Sequence, residues 1–258
     1  PHFPTHVLQR LIRQYTYESG VRNLEREIAT LCRKATRRLA EDKQPIRTIT
    51  ETRVERYLGP PDYIEPRLEE RDTIGVAMGL AWTPNGGDLL PVEVALLSGK
   101  GDLTLTGQLG DVMQESAQAA LTYLKAHAEE WELGTDEFDK YDVHIHFPEG
   151  AIPKDGPSGG ITIATALCSA FTGLPIDHTV AMTGEITLRG RVLPVGGLKE
   201  KLLAAHRTGV SKVIIPAQNE KDLQEIPADV KRSLEVVLAN RMSVVLENAL
   251  NDEDEQKG

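Results

Sequence analysis

Cysteine is nearly missing from this chain: Cys32 and Cys168 are the only two among 258 residues. Each sits inside an apolar helical pattern, which excludes a disulfide framework and fits a reducing compartment. No run of 18 apolar residues and no signal-peptide pattern occurs, so no membrane-spanning helix is expected. Positive charge is also short, 29 Lys and Arg against 39 Asp and Glu, a net charge of −10. That balance argues against general binding to phosphate backbones, and nucleic acid is set aside as a primary partner. There is no internal repeat. The chain opens on Pro1 in mid-pattern without a Met and reads as a piece of a longer protein.

What is present, 40% hydrophobic and 26% charged residues, suits one sizeable core plus a smaller module. Residues 5–43 read as helices. In the clearest, Leu24, Ile28, Leu31, Ala35 and Leu39 recur at helical spacing, with Ser19 as the expected N-cap. Arg26, Arg33, Lys34, Arg37 and Arg38 fill its other faces, read as a solvated surface. A short helix from Thr50 to Leu58 stops at Gly59-Pro60-Pro61, and residues 61–70, rich in proline and acid, read as a linker.

From Thr73 the texture becomes β-like. Thr73–Thr83 and Leu89–Leu97 flank Pro84-Asn85-Gly86-Gly87 as a hairpin, and residues 102–106 alternate as a strand. Asp111 opens a helix with Gln114 as its capping-box partner and Met113, Ala117, Ala120 and Leu124 as its apolar stripe. Residues 142–147 alternate again. A helix then carries Ile161, Ala164, Leu167, Cys168 and Phe171 on one face. Thr179–Leu188 and Arg191–Val195 read as a hairpin turning at Arg189-Gly190. A helix from Leu198 to about Arg207, a strand at Lys212–Ile215, a helix at Asn219–Glu225, a strand at Leu234–Leu238 and a helix at Met242–Leu250 follow. The acidic tail 251–258 reads as disordered. The expected class is mixed α/β: a small helical bundle at 1–60, then an α/β domain at 71–250.

Chemistry concentrates where Pro153-Lys154-Asp155-Gly156-Pro157-Ser158-Gly159-Gly160 meets a helix start. Unpaired N–H groups and the helix dipole there can stabilise a developing negative charge. The run fits the G-x-S-x-G pattern of a nucleophile elbow, but residues 148–155 separate strand from serine, and His178 and His206 lack an acid partner at suitable spacing. A lysine base is the other form of this logic. Its pKa must fall from about 10.4 to near 7, which requires burial. On the helix from Leu198, Lys201 lies roughly 60° from the centre of the apolar side and Lys199 roughly 100°, so Lys201 is the better candidate. His144 and His146 share a strand face without a third metal ligand, so structural roles are expected and no metal is assigned.

Residues from about 73 to 250 resemble the proteolytic domain of Lon, the ATP-dependent AAA+ protease. The resemblance rests on the serine run above, on Thr183-Gly184-Glu185-Ile186-Thr187-Leu188-Arg189-Gly190, and on Leu193-Pro194-Val195-Gly196-Gly197-Leu198-Lys199-Glu200-Lys201. Gly20-Val21-Arg22-Asn23-Leu24-Glu25-Arg26 is similar to the small helical subdomain following that family's nucleotide-binding core.

The resemblance implies a serine endopeptidase with Ser158 and Lys201 as catalytic dyad, Thr183 beside the lysine, and Asp155 in position to salt-bridge it when the site is idle. Ser158, Gly159 and Gly156 are the oxyanion candidates, and Leu103, Thr104 and Leu105 of the run 101–107 the candidate strand for pairing with substrate. Gly159 departs from the alanine common in the family. Arg22 matches a nucleotide-sensing arginine, but no G-x-x-x-x-G-K-[ST] loop occurs, so this chain alone is expected not to hydrolyse ATP. The implied substrates are unfolded or misfolded proteins and peptides and the implied assembly a homohexamer. Peptide-bond chemistry needs no cofactor, while ATP and Mg belong to the full-length protein. The implied place is the cytoplasm of a bacterial cell, with the mitochondrial matrix second. The alternative function is a catalytically idle ring-assembly module.

Overall fold

In the computed structural model, residues 1–63, 68, 70–131, 133–134, 136–148 and 154–251 are described. Pro153, much of the 61–70 linker and the tail beyond residue 251 lie outside them. The chain divides into two compact units, Pro1–Arg67 and Leu68–Gly258.

The first unit holds α1 (Thr5–Gln14), α2 (Arg22–Ala40) and α3 (Glu51–Leu58). Their apolar stripes meet in a small core of Val7, Leu11, Tyr15, Leu31, Ile49 and Val54. Ser19 does not cap α2. The helix starts three residues later, and the Glu18 carboxylate accepts from the N–H groups of Asn23 and Leu24 at 2.8 and 2.9 Å. A carboxylate favours that place because it meets both orphan donors and the dipole.

The second unit is built on β1 (Val76–Thr83), β2 (Gly86–Ser98), β3 (Leu103–Thr106), α4 (Asp111–Ala126), β4 (Tyr141–His146), α5 (Gly160–Thr172), β5 (Val180–Met182), β6 (Glu185–Ile186), β7 (Val192–Leu193), α6 (Leu198–Thr208), β8 (Lys212–Pro216), α7 (Ala228–Ser233), β9 (Glu235–Ala239) and α8 (Met242–Ala249). Seven strands form one mixed sheet in the order β3-β4-β2-β1-β5-β8-β9. The β1–β2 and β2–β4 pairs are antiparallel, and the others are parallel. Alternation along the central strands sends side chains to two cores. Ala77, Val180, Met182 and Ile214 join Met113, Leu121, Leu167 and Val245 on one face, whereas Met78, Leu80, Ala181, Val213 and Ile215 join Leu198, Leu202 and Val230 on the other.

Three elements differ from the sequence expectation. Helix α5 is buried all round from Gly160 to Ser169, not along one face. Thr165 returns its hydroxyl to Ile161 O at 2.8 Å, whereas the buried Thr162 hydroxyl has no hydrogen-bond partner among the described residues. The run 179–188 divides: β5 stays in the main sheet, and β6 leaves it to pair with β7. Thr183 N still bonds Ile214 O at 3.1 Å, but Gly184 N turns to Ser158 O at 2.9 Å, so the chain exits toward the serine turn. Asn219–Glu225 lies in a 3-10 helix, Ala217–Glu225.

Leu167 in α5 is fully buried. Leu167→Ala is expected to cost about 2–5 kcal/mol, read as a lowered urea midpoint for the second unit.

Candidate active site

Ser158 sits in the 3-10 turn Pro157–Gly159 that leads into α5. Pro157 suits the first turn, where its missing N–H costs nothing. Gly156 enters it at φ 113°, a left-handed backbone that side chains resist. The turn is tied on both sides. On the approach, Lys154 N donates to Gln108 O at 3.1 Å and Gly110 N to Lys154 O at 2.8 Å. On the exit, Ser158 O accepts from Gly184 N, and Ile161 N donates to Gly184 O at 3.1 Å.

Asp155 does not reach Lys201 in this structure. Its Oδ1 accepts from Met113 N at 3.1 Å and Gly156 N at 2.8 Å. Asp155 thus caps α4 from across the chain. Asp111 and Gln114 form no capping box, since Gln114 Nε2 instead donates to Leu109 O at 2.9 Å. The Asp155 carboxylate also occupies the Gly156 N–H, one of the three oxyanion candidates. The Ser158 N–H precedes the first i→i+3 bond of that turn and has no intrahelical acceptor, whereas the Gly159 N–H faces Gly156 O within the 3-10 turn.

Lys201 lies in the first turn of α6 and is 2% exposed. Its Nζ donates to Thr183 Oγ1 at 2.9 Å, and Thr183 in turn donates to Ser158 O at 3.3 Å. With the hydroxyl proton committed to that carbonyl, Thr183 faces the amine as an acceptor. Among the described residues no carboxylate lies within ion-pair distance of Lys201. Burial therefore acts unopposed and lowers its pKa to about 8.

Ser158 and Lys201 line one cleft of about 530 Å³, together with Ala81–Thr83, Asp88–Leu90 and Pro194–Gly197. Among the described residues no histidine lines it. His178 does have an acid partner that spacing did not reveal, Asp72, with Nδ1 to Oδ1 at 2.6 Å, but neither residue lines the cleft. Asp72, Asp177 and His178 are the one group of three possible metal ligands gathered among the described residues. Each is bonded within the protein: Asn251 donates to Asp72, and Thr179 donates to Asp177. His144 and His146 share the Thr106 hydroxyl at 2.9 and 2.7 Å.

Leu103, Thr104 and Leu105 lie on β3, an edge strand, but none lines the cleft. The cleft instead meets β1. That strand pairs with β2 through Thr83, but with β5 only at Met78 and Gly79. Beyond Gly79 one backbone edge of β1 is open toward the cleft, with Trp82 at the rim, 56% exposed. Asp88, its carboxyl pushed above the usual range by burial, also lines this wall. Neither had a sequence signal, because both depend on where β5 ends.

Residues 48–252 match the Lon protease C-terminal proteolytic domain, and residues 1–48 match the Lon protease AAA+ ATPase lid domain. The chain belongs to the Lon protease family. It is 59% identical over 248 residues to a Lon protease of Syntrophomonas wolfei, covering 96% of this chain and 30% of that protein. It is 57% identical over 249 residues to Lon protease 2 of Desulfotalea psychrophila, 96% of this chain and 32% of that protein. It is 55% identical over 244 residues to a Lon protease of Bacillus thuringiensis, 95% of this chain and 31% of that protein. The chain therefore spans about a third of the length of these Lon relatives. The Lon lid match ends at residue 48, yet Val54 of α3 packs in the core of the helical unit. Arg22, the first residue of α2, is exposed beside Glu25, Arg26 and Arg33 around a surface hollow.

Gly159, which stands where the family resemblance implies alanine, has φ −88°. A Cβ there would lie 3.2 Å from the flexible Met113 sulfur, whereas one on Gly160 would meet the Ile186 backbone N at 2.9 Å. Gly159→Ala is expected to leave stability level or raise it by up to about 1 kcal/mol. Gly160→Ala is expected to lower it by about 1–3 kcal/mol. Urea titration of the two variants reads both signs.

Proposed function

We propose that this chain is a serine endopeptidase with a Ser158–Lys201 dyad, the proteolytic portion of an ATP-dependent Lon-type machine. The observation that carries it is a buried amine with a lowered pKa lining the same cleft as a serine at a turn, with Thr183 bonded to both segments. Neutral Lys201 takes the proton from Ser158 Oγ as that oxygen bonds to the substrate carbonyl carbon. The oxyanion accepts from the Ser158 N–H group. Lys201 then gives its proton to the leaving amine as the C–N bond breaks. A water, deprotonated by the same lysine, cleaves the acyl-enzyme and restores Ser158.

The substrate class is an extended, unfolded peptide, because only such a chain can run along the open edge of β1 and pair with it. Neither metal nor cofactor is assigned to this chemistry. ATP and Mg would serve the full-length protein. The chain has no phosphate loop to hold the nucleotide, so no step is routed through it. We assign the working assembly as a homohexamer in a bacterial cytoplasm, in line with the bacterial relatives. Among the described residues no helix is long and apolar enough to cross a membrane.

Cleavage of an unstructured peptide is expected to vanish in Ser158→Ala and to fall by at least about 10³-fold in Lys201→Ala. Exposed Lys199→Ala should stay within about twofold. Near-parental turnover in either dyad variant would refute the assignment.

The sign of the pH effect follows from the lowered pKa: the reactive amine is the neutral form, so kcat/KM should rise with pH through about 8. A midpoint near 6.5 would assign the base to histidine instead.

A further inference from the structure

Between the end of β7 at Leu193 and the start of α6 at Leu198, residues 194–197 form one wall of the cleft and lead directly to Lys201. This stretch has little means of holding itself. Pro194 has no N–H, Gly196 and Gly197 have no side chains, and β7 has ended. Its anchor comes from elsewhere. Val195 N donates to Asn219 Oδ1 at 3.0 Å, and Asn219 Nδ2 donates to Val195 O at 2.9 Å. The second Nδ2 proton goes to Asp222 Oδ2 at 2.6 Å, which fixes the amide orientation. Asn219 is 3% exposed, in the 3-10 helix that follows β8.

We propose that Asn219 is a positioning residue for the substrate: its side chain pairs with Val195 as a neighbouring strand would, and so holds the cleft wall in register for an extended peptide. The inference rests on the protease reading above and goes beyond it. Because both backbone groups of Val195 are taken and Gly197 O accepts from Lys201 N at 3.1 Å, the wall can offer a substrate the carbonyl of Pro194, the backbone of Gly196 and the N–H of Gly197. A primary amide alone fills this place, since it presents acceptor and donor side by side, as a peptide unit does. An aspartate of the same shape keeps the bond from Val195 N but faces Val195 O and Asp222 with oxygen.

The test compares two serine-directed probes on the whole 258-residue chain: a tripeptide boronate, which needs the cleft wall, and a small fluorophosphonate, which needs only the dyad. Asn219→Asp is expected to weaken the boronate by about tenfold while slowing fluorophosphonate labelling by less than about threefold. Asn219→Asp combined with Asp222→Asn removes the charge repulsion but leaves Val195 O unpaired. It should regain thermal stability without regaining boronate affinity. Equal losses for both probes, unchanged boronate affinity, or recovery of affinity in the double variant would each overturn the role of Asn219. No labelling of Ser158 in the unsubstituted chain would overturn the protease reading itself.

Discussion

Burying one amine dictates much of the second unit. Lys201 can act as a base near neutral pH only if water is kept from it, and the two cores on either side of the central strands leave it 2% exposed. Burial without a neighbouring carboxylate moves its pKa in one direction only, down to about 8. A carboxylate within reach would pull the other way and hold the amine charged. The hydroxyl of Thr183 meets the need for a polar partner without that effect, since it accepts an N–H bond but carries no charge.

The same constraint explains the interruption of β5. Thr183 still bonds the sheet through Ile214 O, and it is the Gly184 N–H that leaves it for Ser158 O. By ending the sheet pairing at Met182 and turning Gly184 onto Ser158 O, the chain brings the serine turn and the threonine bonded to Lys201 together through one short segment. The early end of β5 also leaves β1 without a strand partner beyond Gly79 on that side among the described residues. One local change thus positions the proposed nucleophile and leaves room for the substrate proposed for it.

Side-chain-to-backbone bonds across long sequence separations do much of the remaining fixing. Asp155 caps α4 and holds Gly156, and Asn219 stands in for a strand beside Val195. Each supports a segment rich in glycine and proline that cannot order itself. Such bonds are effective because each satisfies a backbone group that the absence of regular structure would leave unpaired.

Ser158 at a helix start, Lys201 as the more buried of two neighbouring lysines, and the mixed α/β class were all legible in the residues. Turn composition, helical spacing and strand alternation are local, and the family-specific strings added order to them. Partners distant in the chain were not legible. Spacing offered no acid for His178 and placed the start of α4 at Asp111 with Gln114, whereas the fold supplied Asp72 and Asp155. The candidate strand for substrate was Leu103–Leu105, whereas the strand that lines the cleft with the serine is β1. By itself the sequence determined which residues are candidates for reactive chemistry and which elements hold them, because both follow from side-chain type and short-range periodicity. Which groups meet, which amine loses its water and which strand edge stays open were decided only by the tertiary structure, because burial and pairing depend on what packs from far along the chain.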